Sequence, residues 1–349
     1  MLIQGGFNIK HIKGYLMIAL AGILWGTVGL FGKLFFTYNF DSKLVVFCRL
    51  VVGFIIMFIF IWFKDKKLLR FDKRGLKYTA LIGFFTQALF NLLYFETIKR
   101  TTISTAVILL YTAPIFLIIM GRVFYSEVLS PIKISALVLC IVGCFLTVTG
   151  GSLDTLNINS VGVLMGIGAG FTYALVTIIS KAIINDYHPL TIILYSFLFG
   201  WIFLVPFSNP MNLLYVKYSL PIVACIVGLG LIPTVLAYIL YITGLSYGVE
   251  ASKAGIISSL EIVVSVIVSF LFFKEVILGV KLLGIIMTLG SIFIIRFDKH
   301  VLILDSEQVN IDEKLDYIGD RIEELMELPE IIEGFVEKEN DSICELKTL

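Results

Sequence analysis

Apolar residues gather along this chain in ten runs, each about as long as a bilayer is thick, with short polar interruptions between them. A helix rising 1.5 Å per residue needs about 20 residues to cross ~30 Å of hydrocarbon. The runs fall at roughly 15–36, 44–63, 76–98, 103–125, 132–150, 160–183, 190–207, 219–241, 251–273 and 280–296, and predict ten membrane-spanning helices. The interruptions, such as Thr37-Tyr38-Asn39-Phe40-Asp41, Gly150-Gly151-Ser152 and Ser208-Asn209-Pro210, carry turn residues and leave no room for an inserted soluble domain.

The pattern occurs twice. Gly14, Leu16, Met17, Ala21, Gly22 and Lys33 recur 148 residues later as Gly162, Leu164, Met165, Ala169, Gly170 and Lys181, and Trp25 falls on Tyr173. At a shift of 147, Tyr94 falls on Tyr241, Pro114 on Glu261 and Gly143 on Gly290, while Glu127 returns at 148 as Glu275. An odd number of spans per copy makes the second enter the membrane from the opposite side. The expected fold is therefore an all-α membrane protein of ten transmembrane helices in two inverted five-helix repeats, residues 1–151 and 152–297, followed by an acidic amphipathic tail, 298–349.

The tail reads as helical around 310–328. Ile311, Leu315, Ile318, Ile322 and Leu325 form one apolar stripe among Asp312, Glu313, Asp320, Glu323, Glu324 and Glu327, and Pro329 ends it. Such a segment is a solvated acidic helix, or it docks on the basic loop 64–77, on a partner, or on a second copy to give a homodimer.

Composition agrees: 58% of residues are hydrophobic, mean hydropathy is +0.98 and only 15% are charged. The net charge of +1 hides a division into +12 over residues 1–296 and −11 over 297–349. Counted through Lys299 and leaving out Arg49, which lies inside a span, 15 Lys/Arg flank the spans on the side of the N-terminus and 7 on the other. The positive-inside rule then predicts a multi-pass cell-membrane protein with both termini cytoplasmic. Cations spread along membrane borders suit anionic lipid headgroups and argue against nucleic acid as a partner. The first run follows Lys10 and Lys13 like a signal sequence, but its length and its internal counterpart near Gly162 make it a retained helix. Cys48, Cys140, Cys144, Cys225 and Cys344 form no CxxC pair, and His11, His188 and His300 fall in loops or flanks. With no catalytic, nucleotide-binding or metal-ligating motif, no enzymatic activity, cofactor or metal is expected.

Charges and polar groups inside spans are costly in lipid and so are the candidates for function. Glu261 is deepest, about ten residues into helix nine and roughly 15 Å from its nearer end. It is a proton carrier or a counter-charge for a cationic solute, unless it is a structural hydrogen-bonding group at a helix contact. Gln87, Asn91 and Tyr94 stand at i, i+4 and i+7 on helix three, and Thr234, Tyr238 and Tyr241 repeat that face on helix eight. Both stripes suit a central cavity, or interhelical hydrogen bonds. Lys33 and Lys181 top the matched stripes Trp25-Gly29-Lys33 and Tyr173-Thr177-Lys181 and either gate the site or snorkel to headgroups. Arg49 and Glu96 form a candidate ion pair at the outer ends of helices two and three, structural or part of a gate. Arg122, Glu127 and Glu275 read as interfacial anchors or helix caps, and Pro114 and Pro233 interrupt helices four and eight.

These features resemble the drug/metabolite transporter superfamily, in particular its EamA type. The resemblance covers roughly residues 12–296. It rests on the two five-helix repeats, Ala21-Gly22-Ile23-Leu24-Trp25-Gly26, Phe47-Cys48-Arg49, Tyr111-Thr112-Ala113-Pro114, the paired Ser126-Glu127 and Lys274-Glu275, and Ser259-Leu260-Glu261. It implies a cavity lined by helices one, three, four, six, eight and nine, with access alternating as the halves rock. Members of the superfamily move amino acids, phosphorylated or nucleotide-linked metabolites, quaternary amines and drugs, some by exchange or proton coupling. Ile262 stands where a Glu-Pro pair is common, and the acidic tail lies outside the pattern. The resulting expectation is a secondary transporter for a small organic solute such as an amine, amino acid or drug-like cation. Trp25, Tyr94, Tyr111, Tyr173, Tyr238 and Tyr241 would wall the site, and Gln87, Asn91, Thr177 and Ser258 would supply hydrogen bonds around Glu261. A lipid flippase, a channel and a signalling scaffold acting through the tail are the competing classes.

Overall fold

The structure, a computed structural model, describes residues 9–37, 41–156, 159–216, 218–274 and 279–298. The expected tail helix, Glu275 and the side chain of Lys33 lie outside the described residues. Among those described, ten helical rods follow one another: α1 (Ile9–Trp25 and Val28–Thr37), α2 (Ser42–Lys64), α3 (Lys73–Arg100), α4 (Ile103–Tyr125), α5 (Pro131–Thr149), α6 (Ser160–Ile183), α7 (Pro189–Ser208), α8 (Leu220–Ser246), α9 (Ala251–Phe273) and α10 (Gly279–Ile295). Nine are long and apolar enough to cross a bilayer, and α10 is a shorter apolar helix. The protein is an all-helical, multi-pass membrane protein. α8 runs five residues past the apolar stretch read from sequence, because its last turns bury Ile242 and Leu245 in the core.

Loop chemistry fixes where the rods begin. Asp41, Asp72, Thr102, Ser130 and Asn159 each accept a hydrogen bond from a backbone N–H in the first turn, and Pro131 and Pro189 occupy first-turn positions that need no donor. The repeat shows at the far ends of α4 and α9: Ser126 and Lys274, 148 positions apart, both adopt left-handed backbone (φ 50° and 56°) that closes the helix.

Four rods depart from regular α-helix at matched places. α4 breaks at Tyr111–Thr112 and α9 at Ser259, 147 positions beyond Thr112. In α4 the cause is Pro114, which has no N–H for the Leu110 carbonyl. In α9 the hydroxyls of Ser258 and Ser259 bond back to the carbonyls of Gly255 (3.0 Å) and Ile256 (2.6 Å), competing with the helix ladder. α3 and α8 are π-helical over Ile82–Leu89 and Leu231–Leu236. Pro233 orphans the Leu229 carbonyl, and the Thr234 hydroxyl satisfies it at 2.8 Å. α1 breaks at Gly26–Thr27, whereas its counterpart α6 is continuous.

The rods pack across the repeats in matched pairs. α1 lies against α8 and α9, as α6 lies against α3 and α4; α2 meets α8 as α7 meets α3; α5 and α10 pair with each other. Gly22 and Gly170 allow two of these pairs to approach closely. A Cβ on Gly22 would stand 3.0 Å from the Ser258 carbonyl oxygen, and one on Gly170 would stand 2.4 Å from Thr112 Oγ1 and 3.0 Å from the Leu109 oxygen. The repeated glycines of α1 and α6 therefore seat on the breaks of α9 and α4.

Candidate functional site

The two breaks face a narrow cavity. Leu110, Tyr111, Ala113, Pro114 and Leu117 of α4, Tyr173 of α6, and Gly255, Ser258 and Glu261 of α9 line it. Its free space is about 10 Å³, room for roughly one water molecule. Tyr111, Tyr173 and Glu261 stay half-buried although helices surround them, because they front this opening. The Tyr173 hydroxyl donates to Glu261 Oε2 at 3.5 Å.

From Tyr173 a wall of rings crosses the bundle. The Trp25 ring lies 6.3 Å from Tyr173, 5.5 Å from Tyr238 and 4.9 Å from Tyr241 between centroids. Gln87 Nε2 donates to the Tyr238 hydroxyl at 2.7 Å, and the hydroxyls of Thr177 and Tyr241 share a bond of 2.6 Å. Phe90 joins this wall, 5.5 Å from Tyr173 and stacked 5.8 Å from Tyr94. Asn91 instead donates to the Gln87 carbonyl on its own helix, which the π-turn makes available, and Ser258 bonds to Gly255 within α9.

Arg49 departs from the expectation. Glu96 pairs with Arg100 one turn along α3, at 2.9 Å; a local i, i+4 partner outcompetes a distant one. Arg49 turns inward, within electrostatic range of Tyr238, Tyr173 and Glu261. Its buried Nε has no hydrogen-bond partner among the described residues.

Lys181 lies away from the rings. It bonds to Glu127 Oε1 at 3.3 Å and to the Val249 carbonyl at 3.1 Å, with its ammonium 4.8 Å from the Tyr125 ring centroid. Glu127 also accepts from the backbone N–H groups of Ala251 (2.5 Å) and Ser252 (3.1 Å), capping α9 from the α4–α5 link. Beside it sits a charge cluster that the sequence reading missed. Lys133 and Lys253 are each 1% exposed. Lys133 reaches Glu250 Oε2 at 2.8 Å, Lys253 reaches it at 3.1 Å, and Lys253 also reaches Asp298 Oδ2 at 3.0 Å. Ser130 donates to the other Asp298 oxygen. Burial alone would raise the Glu250 carboxyl, but the two ammonium groups outweigh it and hold it below the usual carboxylate range. The usable signal in sequence is that Lys133, Glu250, Lys253 and Asp298 all fall within a turn of span ends predicted on one side of the membrane. All these contacts lie at the end of the bundle where residue 298 emerges, and those of Glu127 and Lys133 join the first repeat to the second.

The sequence profile of the EamA-like transporter family matches residues 12–149 and again 160–297. The chain belongs to that family. It is 28% identical over 285 residues to an uncharacterized transporter of Archaeoglobus fulgidus, covering 80% of this chain and 95% of that protein. It is 26% identical over 299 residues to the uncharacterized inner membrane transporter YicL of Salmonella typhimurium, covering 82% and 96%, and 28% identical over 284 residues to the uncharacterized transporter YwfM of Bacillus subtilis, covering 80% and 92%. A solved crystal structure superposes with a TM-score of 0.69 at 14% identity, covering 81% of this chain and 96% of that one, which shows the shared fold.

Proposed function

We propose that this member of the EamA-like transporter family is a secondary transporter that moves a small organic solute bearing an amine across the cell membrane by alternating access, with both termini cytoplasmic. One observation carries the reading. Glu261, held by Tyr173, fronts a cavity that forms where two symmetry-matched helix breaks from opposite repeats meet. Broken helices at a repeat interface are where carriers place solutes, because the freed backbone must face protein or water rather than lipid.

Two further features support the mechanism. The narrow cavity fits a conformation between the two open ones. At the end of the bundle where residue 298 lies, ion pairs cross between the repeats, while at the opposite end, among the described residues, the ion pair of Glu96 with Arg100 stays within one helix. Rocking the repeats would break the crossing contacts and open that end. Aromatic walls around a carboxylate suit an amine through charge pairing and cation–π contact.

Counterflow in proteoliposomes against a metabolite library tests the proposal. Saturable exchange that is stimulated by solute inside the vesicle and falls at least tenfold in Glu261→Gln is the expected result. Unsaturable flux would indicate a channel or flippase, and function retained after replacement of the ring-wall residues would indicate a scaffold; either outcome removes the carrier reading.

A further inference from the structure

The last turns of α2 carry a groove that shares no lining residue with the central cavity. Ile56, Ile59, Phe60 and Phe63, spaced to share one face of the helix, line it, and Lys64 stands at its mouth; its free space is about 580 Å³. Ile59, Phe60 and Phe63 are exposed on the outside of the bundle, where lipid is their solvent. The Lys64 ammonium folds back to 5.5 Å from the centroid of the Phe60 ring, over the wall of the groove, and that of Lys66 lies 4.2 Å from the centroid of Trp62. Among the described residues neither lysine makes an ion pair, and the carboxylate between them, Asp65, accepts from the Lys67 N–H at 2.9 Å. The backbone that presents them is fixed: Lys66–Leu69 is a 3-10 turn whose Leu68 and Leu69 carbonyls accept from Thr191 (2.8 Å) and Tyr195 (2.7 Å) of α7.

The second repeat supplies a comparison within the same molecule. Its α7–α8 link also holds a 3-10 turn, Pro210–Tyr215, but at the 147 shift Met211 and Leu213 stand in the places of Lys64 and Lys66. One architecture is thus apolar in one copy and cationic in the other. Orienting the chain needs only the number of cations on one side; it does not need two of them at the end of an apolar groove. A zwitterionic lipid would fill the groove and leave both ammonium groups uncompensated. A second copy related by a twofold axis through this face would bring two basic links together, at a Coulombic cost. A lipid with a net negative headgroup satisfies the groove and the ammonium groups at once.

We propose that this groove binds one anionic phospholipid, its headgroup phosphate on Lys64 and Lys66 and an acyl chain along Ile56, Ile59, Phe60 and Phe63. The site does not depend on which solute the protein carries.

Native mass spectrometry of the full chain, released from micelles holding equal amounts of phosphatidylglycerol and phosphatidylcholine with the same acyl chains, tests the assignment. The unaltered protein should retain one phosphatidylglycerol with at least tenfold preference. Lys64→Gln combined with Lys66→Gln should abolish that preference, while Lys67, Arg70, Lys73, Arg74 and Lys77 remain to orient the chain. Ile59→Trp, which fills the groove, should lower the bound phosphatidylglycerol at least tenfold. A phosphatidylglycerol with a photoreactive acyl chain should also place its adducts on residues 56–64 of the unaltered protein, displaced by unlabelled phosphatidylglycerol and not by the same amount of phosphatidylcholine. If the double variant does not yield monodisperse protein, this labelling decides alone. Equal retention of the two lipids, a preference unchanged in the double variant, or adducts spread evenly over the spans overturns the proposal. So does a lipid-free dimer that Ile59→Trp dissociates, which would give the groove to a second copy.

Discussion

Gln87 is completely buried, and its amide has one outlet, the hydroxyl of Tyr238. Tyr238→Phe keeps the ring against Trp25 and Phe197 but strands that amide, a loss of about 1–3 kcal/mol. Tyr241→Phe should cost less than about 1 kcal/mol, because the Thr177 hydroxyl can turn to a carbonyl of its own helix. Thermal denaturation of the two purified variants in detergent should therefore give a lower midpoint for Tyr238→Phe than for Tyr241→Phe. These side chains were legible in sequence, since a polar residue at helical spacing in an apolar span must point inward and its repeat partner says so twice. What spacing could not say is which neighbour each one meets. Asn91 and Ser258 turned to carbonyls on their own helices, and Arg49 lost Glu96 to a partner four residues away. Local geometry decides such contests, and the sequence shows the competitors without the distances.

Glycines illustrate the same limit at the scale of elements. Gly22, Gly29, Gly168 and Gly170 all read as small residues of close-packed helices, yet a Cβ on Gly29 meets only Ser265 Oγ at 3.9 Å, and one on Gly168 only Leu93 at 3.4 Å. Gly170 has no such room. Gly170→Ala should push α6 off the break in α4 at a cost of about 1–3 kcal/mol and depress transport, while Gly29→Ala and Gly168→Ala should be neutral or stabilise by up to about 1 kcal/mol through helix propensity. Exchange rates and melting midpoints of the three variants check this. The links between elements carry information too. The basic loop before α3 is pinned to α7: the Tyr187 hydroxyl donates to Asp72 at 2.5 Å, Thr191 and Tyr195 donate to the Leu68 and Leu69 carbonyls, and Phe71 stacks on Tyr195. The Tyr187 hydrogen bond, with the Gly75 N–H, holds the Asp72 carboxyl below its usual range. Burial, with the Asp72 charge beside it, pushes Tyr187 up to about 12. A carboxyl depressed in the folded state stabilises above its unfolded value of about 3.9 and loses that contribution as pH falls through the folded value. Amide hydrogen exchange over residues 66–72, corrected for intrinsic rates, should accelerate between pH 5 and pH 3, and Tyr187→Phe should exchange fast at both.

For the whole molecule the repeats were readable because duplication writes itself into sequence at a fixed shift, whereas the ion pairs that cross between the repeats at one end of the bundle were not. Among the described residues the charged cluster of Lys133, Glu250, Lys253 and Asp298 has no full counterpart at the other end: Lys281 stands 148 positions beyond Lys133, but Ile103 stands 147 positions before Glu250, at the matching start of α4. Together with Glu127 and Lys181 it fastens one end of the repeats to each other. Glu127→Ala leaves Lys181 with the Val249 carbonyl and the Tyr125 ring but no counter-charge among the described residues, and removes the acceptor for the buried Ala251 and Ser252 N–H groups. Breaking one side of such a buried pair costs about 3–5 kcal/mol, and that cost falls on the conformation in which this end is closed. Each 1.4 kcal/mol shifts a two-state balance tenfold, so Glu127→Ala should raise the population open at this end by at least one order of magnitude. A single Ser258→Cys on the cavity wall, in a background with the native cysteines replaced by alanine, reports that population through its rate of reaction with a membrane-impermeant maleimide. Applied from the side on which residue 298 emerges, the reagent should react at least tenfold faster after Glu127→Ala; applied from the other side, it should react more slowly. Equal rates from both sides would mean that the crossing ion pairs hold the fold together without governing which way the chamber opens.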